Sequence, residues 1–275
     1  MRRLVEIFIY LLSAFIGIAA FAYPFFLPQI STVGSAGAHA AEAPLLTTIL
    51  IFINLVVLLI EIQGQTVSAK VIAALGVLIA ITAVLRFFEV VLPVAGGFSP
   101  IFVPIILAGY VFGYRFGFLM GTLSMLASGL VTGNVGPWLP FQMFTAGWVG
   151  MSAGWLPHLH NKRLELGMLV VFGVLWGFCF GIIMNLYFWP FVTGDTATSW
   201  QPGTSIANGI SRYTAFYILT SLFWDIGRAA GNGILILILG RPILKTLIRF
   251  RDRFHFTMEN ADYSVTSATG SVKHV

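Results

Sequence analysis

The sequence predicts an all-α polytopic membrane protein, and three observations carry that prediction. Hydrophobic residues make up 58% of the 275-residue chain and charged residues only 9%, with 25 Phe and 7 Trp, too little polar surface for a soluble domain of this size. The apolar residues gather into runs long enough to cross a bilayer, divided by Pro, Gly and charged clusters. The basic residues outside those runs gather in alternate connections between them.

A hydrocarbon core of about 30 Å takes roughly 20 helical residues, and the runs divide into eight spans near 4–27, 45–63, 68–92, 98–113, 116–131, 138–156, 165–190 and 210–240. The first follows Arg2 and Arg3 and passes Ala20-Phe21-Ala22, a pattern shared with secretory signal peptides. Apolar residues continue to Leu27, beyond an ordinary signal core, so it is read as a retained helix, with cleavage of residues 1–22 as the alternative. Between the fourth and fifth spans, Gly109, Gly113, Gly117 and Gly121 keep a four-residue period across the expected turn at Tyr114-Arg115. A continuous helix over 98–131 would be about 50 Å long at 1.5 Å per residue and would put Arg115 at mid-bilayer. A turn is therefore expected. Beyond the last span, the tail from Arg249 to Val275 is basic and then polar, with disorder expected past Phe256.

With the N-terminus in the cytoplasm, Arg2, Arg3, Lys70, Arg115, Lys162, Arg163, Arg241, Lys245, Arg249, Arg251, Arg253 and Lys273 fall on that side. The connections 28–44, 93–97, 132–137 and 191–209 then hold no Lys or Arg. This is the positive-inside asymmetry, and it accounts for the net charge of +5 without a nucleic-acid partner. Cys179, the single cysteine, can form no internal disulfide or four-cysteine metal site.

Two helices carry small-residue stripes. Ala69, Ala73, Gly76 and Ala80 recur at i, i+4, i+7 and i+11 on one face of the third span. Such a face permits close approach of another helix, either a neighbouring span or a separate subunit. Gly173, Gly177 and Gly181 make a second stripe, read as packing within the chain.

The run Ser68-Ala69-Lys70-Val71-Ile72-Ala73, the helix closing on Val84-Leu85-Arg86, the short glycine-rich span and the block Gly136-Pro137-Trp138-Leu139-Pro140-Phe141-Gln142-Met143 resemble a substrate-specific (S) component of an energy-coupling factor vitamin transporter. The resemblance spans about residues 67–245 and implies a six-helix core. Residues 1–66 are then two additional transmembrane helices, 67–248 the substrate-binding core and 249–275 a cytoplasmic tail. It further implies that Ala69 and Ala73, extended by Gly76 and Ala80, dock on a transmembrane coupling subunit. Two cytoplasmic ATPases would drive uptake of a vitamin or precursor, cobalamin-like by resemblance, into a prokaryotic cell. Independently, the chain has no GxxxxGK[ST] loop and no Gly-Lys pair, so it is expected to bind no cofactor itself and to leave ATP to its partners.

The ligand is expected beneath the loops at Pro93–Ser99, Thr132–Pro137 and Phe191–Gly209. Unpaired backbone is not tolerated in hydrocarbon, so the Gly133, Gly136, Pro137 and Pro140 segment must meet water or line a cavity. Trp138, held by its flanking prolines, and Gln142 are its leading candidates, joined by Asn134 and by Thr145 on a polar stripe running inward through Val149 and Ser152. Tyr213, Trp189 and Trp200 would add aromatic faces, although an interfacial aromatic belt is the plainer account of any one of them. Asn185 continues the second glycine stripe, as a ligand contact or a helix–helix hydrogen bond. Arg86 and Glu89 form an i, i+3 pair, for an anionic ligand group or for each other; Asp225, Arg228 and Asn232 share a face and read as a helix brace.

Catalysis is not expected. No HExxH motif occurs, His158, His160, His255 and His274 fall in a turn or the tail, and His39 lies in an outer connection. The rival functions are a membrane-embedded enzyme of lipid or polyprenyl metabolism and a structural subunit that binds no small molecule.

Overall fold

A computed structural model describes residues 2–26, 43–63, 69–91, 96–192 and 197–269. His39 lies outside the described residues. Among these residues there are nine α-helices and no strand: α1 Arg2–Ala22, α2 Ala43–Gln63, α3 Ala69–Val91, α4 Phe102–Phe112, α5 Tyr114–Thr132, α6 Leu139–Ala153, α7 Lys162–Phe188, α8 Ile206–Thr220 and α9 Leu222–Thr269. Short 3₁₀ turns, Tyr23–Phe26 and Trp189–Phe191, follow α1 and α7. The stretches Val71–Val91, Tyr114–Thr132 and Lys162–Phe191 are long and apolar enough to cross a membrane; Tyr10–Phe26, Pro44–Ile53 and Phe102–Phe112 are shorter apolar helices.

α4 is the most enclosed element. Phe102, Ile105, Ile106, Leu107, Ala108, Gly109 and Tyr110 are buried all around it, as expected of a helix apolar on every face. At 11 residues it measures about 16 Å, half a hydrocarbon core, and it begins at Phe102 rather than near 98. It ends at Gly113, whose φ of 92° and ψ of 173° only glycine adopts without strain. The long-helix alternative therefore falls, and the break comes one residue before the predicted Tyr114-Arg115.

The four-residue glycine period is a packing seam. A Cβ on Gly109 or Gly117 would collide with the Gly150 carbonyl of α6, and one on Gly121 with the Ala146 carbonyl. α5 and α6 thus run antiparallel, backbone against backbone, with Gly154 abutting Tyr114 at one end and Gly129 facing Leu139 at the other. The apolar core of Ile105, Tyr110, Phe118, Met120, Phe144 and Val149 builds outward from this pair. α1 and α2 pack onto it too: Gly17 rests against Phe144 and Trp148, Phe21 meets Phe141 at 4.8 Å, and Leu50 is fully buried.

The predicted span 210–240 is two helices. Ser221 interrupts it with φ −127° and ψ −27°, and its hydroxyl donates to Asn185 Oδ1 at 3.0 Å, drawing the chain toward α7 instead of extending α8. From Leu222 α9 runs through Pro242 to Thr269, because no glycine or proline follows Pro242 until Gly270.

Candidate functional site

Two glycine-rich faces of the bundle are used differently. On α7, Gly173, Gly177 and Gly181 face α9: a Cβ on Gly177 would stand 2.5 Å from the Ala229 Cα, and one on Gly181 would overlap the Asp225 carboxylate. The side chains that α9 sends across are polar. Asn232 Nδ2 donates to the Gly173 carbonyl at 3.0 Å and Arg228 Nη1 to the Gly177 carbonyl at 3.3 Å. Helical carbonyls keep a second lone pair, and glycine exposes it, so a polar helix face can bond directly to its neighbour's backbone. Arg228 also pairs with Asp225, whose side chain is 2% exposed, and lies 5.3 Å from the Phe180 ring centroid.

This seam leaves hydrogen-bonding capacity over. Asn185 Nδ2, Asp225 Oδ2 and Asn232 Oδ1 are buried without a partner, and the Tyr217 hydroxyl faces Asp225 with no well-aligned bond. Each such group costs about 1–3 kcal/mol if left unmade, so their concentration between α7, α8 and α9 singles out a place suited to polar ligand groups.

α3 joins the same cluster. Arg86 Nη1 lies 2.5 Å from Glu89 Oε1, and Ser99 Oγ donates to Glu89 Oε2 at 2.7 Å. The segment carrying Ser99 is pressed on α9, since Gly97, with φ 72°, packs over the Trp224 backbone and Gly96, with φ 84°, over Gly227. This contact brings the Arg86–Glu89 pair of α3 toward the Arg228–Asp225 pair of α9, each pair balanced within itself.

Three of the seven predicted ligand residues lie on the helices around this seam. Arg86 enters from α3, Asn185 from α7, and Tyr213 from α8, its hydroxyl donating to the Ile182 carbonyl and its ring 4.9 Å from Trp189. Trp189 and Trp200 pack against Phe25 of the first 3₁₀ turn, the former tilted and the latter edge-on, and Trp189 Nε1 donates to the Thr198 carbonyl at 2.8 Å. These rings are packing partners of one another.

The other four residues form a second group. Asn134 and Trp138 stand on the α5–α6 connection, which Thr132 Oγ1 braces by donating to the Ser128 carbonyl at 2.7 Å and accepting from Asn134 N at 3.4 Å. Trp138 is 36% exposed, and its ring folds back over Gly136 so closely that a Cβ there would touch it. Gln142 is half-buried one turn into α6. Thr145 is fully buried and donates to the Phe141 carbonyl at 2.8 Å; its 3.8 Å contact with Met184 Sδ, with the Phe141–Tyr187 ring contact at 4.9 Å, ties this group to α7.

Sequence reasoning missed Ser221 and Tyr217. Ser221, Asp225, Arg228 and Asn232 recur at i, i+4, i+7 and i+11, the spacing that marked the alanines of α3, and would have revealed Ser221. It also passed over Gly150-Met151-Ser152-Ala153-Gly154, which has the GxSxG spacing of a hydrolase nucleophile. Ser152 sits within α6, not on a strand-to-helix elbow. Its hydroxyl donates to the Trp148 carbonyl at 2.6 Å and accepts from Trp176 Nε1 at 3.1 Å, with no hydrogen bond to a histidine among the described residues. No metal-ligating cluster of His, Cys, Asp or Glu occurs among the described residues.

The α3 stripe is turned outward. Ala74, Leu75, Thr82 and Ala83 face the bundle, whereas Ala73, Gly76 and Ala80 are exposed beside Val77 and Val84. Nothing lies within 4 Å of a Cβ built on Gly76. Ala69 opens the helix at its N-terminal end.

Comparison with known proteins gives one finding of family: residues 70–240 match the family described as ECF transporter, substrate-specific component. No curated protein and no solved structure matches the chain. The match covers more than half of the chain and takes in α3 to the apolar part of α9, the helices that build both the polar seam and the outward small-residue face. This multi-pass, all-α membrane protein belongs to the substrate-specific component family of ECF transporters.

Proposed function

We propose that this chain captures a vitamin or vitamin precursor, cobalamin-like by resemblance, and delivers it to a coupling transmembrane subunit powered by two ATP-binding subunits. The chain itself holds no cofactor and performs no chemistry on the ligand. Its setting is a prokaryotic cell membrane, with both termini in the cytoplasm and the α5–α6 connection outside, as the distribution of Lys and Arg favours.

The observation that carries this reading is the uncovered small-residue face of α3. Among the described residues, the glycine stripes of α5 and α7 are closed by a neighbouring helix of the same chain, whereas Ala73, Gly76 and Ala80 point away from it. Such a face suits a helix of another subunit, and Ala69, Ala73, Gly76 and Ala80 are its residues. Ligand would be held at the other functional region, with Trp138, Gln142, Asn134 and Thr145 on the α6 side and Asn185, Tyr213 and Arg86 on the α7–α9 side.

Extraction in mild detergent with a tag on this chain is expected to bring down a second membrane subunit, two ATPases and a bound vitamin visible by mass spectrometry. Ala73→Trp is expected to abolish uptake and copurification with ligand binding intact. Trp138→Ala combined with Gln142→Ala should do the reverse, weakening ligand binding by roughly 30-fold, about 2 kcal/mol, while the complex still assembles. Equal loss of both properties in Ala73→Trp would reduce the α3 stripe to lipid-facing packing, and an undiminished affinity in the double variant would remove the loop from the site.

A further inference from the structure

At the end of the bundle opposite the α5–α6 connection, the start of α7 and the later turns of α9 line an open cavity of about 1030 Å³. Its rim is cationic. Arg241, Lys245, Arg249 and Arg253 recur every four residues along α9, and Lys162 and Arg163 face them from the first turn of α7. The two carboxylates of the rim are already engaged: Glu165 takes Lys162 Nζ at 3.0 Å and the Tyr110 hydroxyl at 2.7 Å, and Asp252 takes Arg251 at 3.1 Å. Positive charge is left in clear excess around a space large enough for a substantial polar group.

The floor and flanks of this cavity are apolar. Leu166 and Leu244 are buried at its base. Immediately beyond the cations the helices turn an apolar surface outward, with Leu164 63% exposed on α7 and Leu237 and Ile238 60% and 65% exposed on α9. With this basic end at the inner face of the membrane, as the placement of Lys and Arg favours, the cations would stand at headgroup depth with exposed leucine and isoleucine on their hydrocarbon side. That order, charge beside exposed apolar surface, favours an anionic phospholipid over a freely soluble anion.

We propose that this cavity binds the headgroup of an anionic phospholipid from the leaflet at the basic end of the bundle. Arg241, Lys245 and Arg249 hold the phosphodiester, Arg163 closes over it from α7, and the acyl chains lie along Leu164, Leu237 and Ile238. A bound lipid at this position spans α7 and α9 and fastens the end of the seam that carries the polar cluster.

The test uses the full-length protein in detergent micelles doped with dioleoyl phosphatidylglycerol or with dioleoyl phosphatidylcholine. Native mass spectrometry reads retained lipid and tryptophan fluorescence reads thermal unfolding. Phosphatidylglycerol, and not phosphatidylcholine, is expected to remain bound and to raise the Tm. Arg241→Gln with Lys245→Gln and Arg249→Gln should weaken phosphatidylglycerol retention by about 100-fold, while Arg241→Lys with Lys245→Arg and Arg249→Lys retains it. Should the triple glutamine variant fail to fold, Lys245→Gln alone is read the same way, with a loss of about fivefold. Three results would overturn the proposal. Equal retention of the two lipids would make the site non-selective. Displacement of phosphatidylglycerol by inorganic phosphate at about 10 mM, with the same rise in Tm, would make it a soluble-anion site. Phosphatidylglycerol retained by the glutamine variant while a copurifying protein is lost would make it a protein contact.

Discussion

The α5–α6 and α7–α9 seams are built from the same device, glycine at four-residue intervals, and are put to opposite uses. In the first, glycine meets glycine: Gly117 and Gly150 bring two backbones into direct contact and exclude everything else. In the second, glycine meets a polar helix face, and the room left by the missing Cβ is occupied by the Asp225 carboxylate and by side chains that bond to the α7 carbonyls. A small-residue stripe specifies proximity alone. Whether the result is a rigid dry joint or a polar site is decided by what the opposite helix brings, and here that is Ala146, Gly147 and Gly150 in one case and Asp225, Arg228 and Asn232 in the other.

The largest effect should come from breaking the charge balance of the polar seam. Asp225→Asn keeps the volume beside Gly181 but leaves Arg228 enclosed without its counter-ion, and is expected to cost about 3–5 kcal/mol. Thermal unfolding in detergent measures this, and Asp225→Asn with Arg228→Gln should recover most of the loss. A single variant as stable as the parent would mean the pair is solvated and the seam open.

The dry seam is probed next. Gly117→Ala drives a methyl into the Gly150 carbonyl and is expected to destabilise by about 1–3 kcal/mol, despite alanine's better helix propensity. Gly76→Ala, with nothing within 4 Å to meet, should instead gain about 0.5–1 kcal/mol. A similar response at both positions would erase the distinction between closed and open glycine faces. The smallest effect is expected at Asn232: replacing it by Ala removes one hydrogen bond to Gly173, worth about 0.6 kcal/mol between membrane helices. Its ligand affinity, measured alongside, should fall by more than its stability does if the seam holds a ligand.

The comparison also explains which parts of the molecule could be read from residues alone. The break between α4 and α5 was legible because Gly113 sits where a longer helix would strand Arg115 in hydrocarbon. The break at Ser221 was not. Serine is an ordinary helix residue, and only Asn185, 36 positions away in sequence, pulls its hydroxyl out of register. Likewise Arg86 and Asn185 were recognisable as polar residues in apolar spans and Tyr213 as an aromatic face, but no spacing rule relates α3, α7 and α8 to one another. Trp138 was noticed for its prolines, and the folding of its ring over Gly136 belongs to the loop's three-dimensional path.

Composition, hydropathy and the placement of Lys and Arg by themselves determined that this is an all-helical, multi-pass membrane protein, because hydrocarbon imposes a length and a polarity on each helix separately. They also marked the faces, since helical periodicity is a property of one helix. Which face meets which was decided only by tertiary structure. Small residues attract any close neighbour equally, so the choice between a dry joint, a polar seam and an outward-facing stripe depends on the shape and charge of helices far away along the chain.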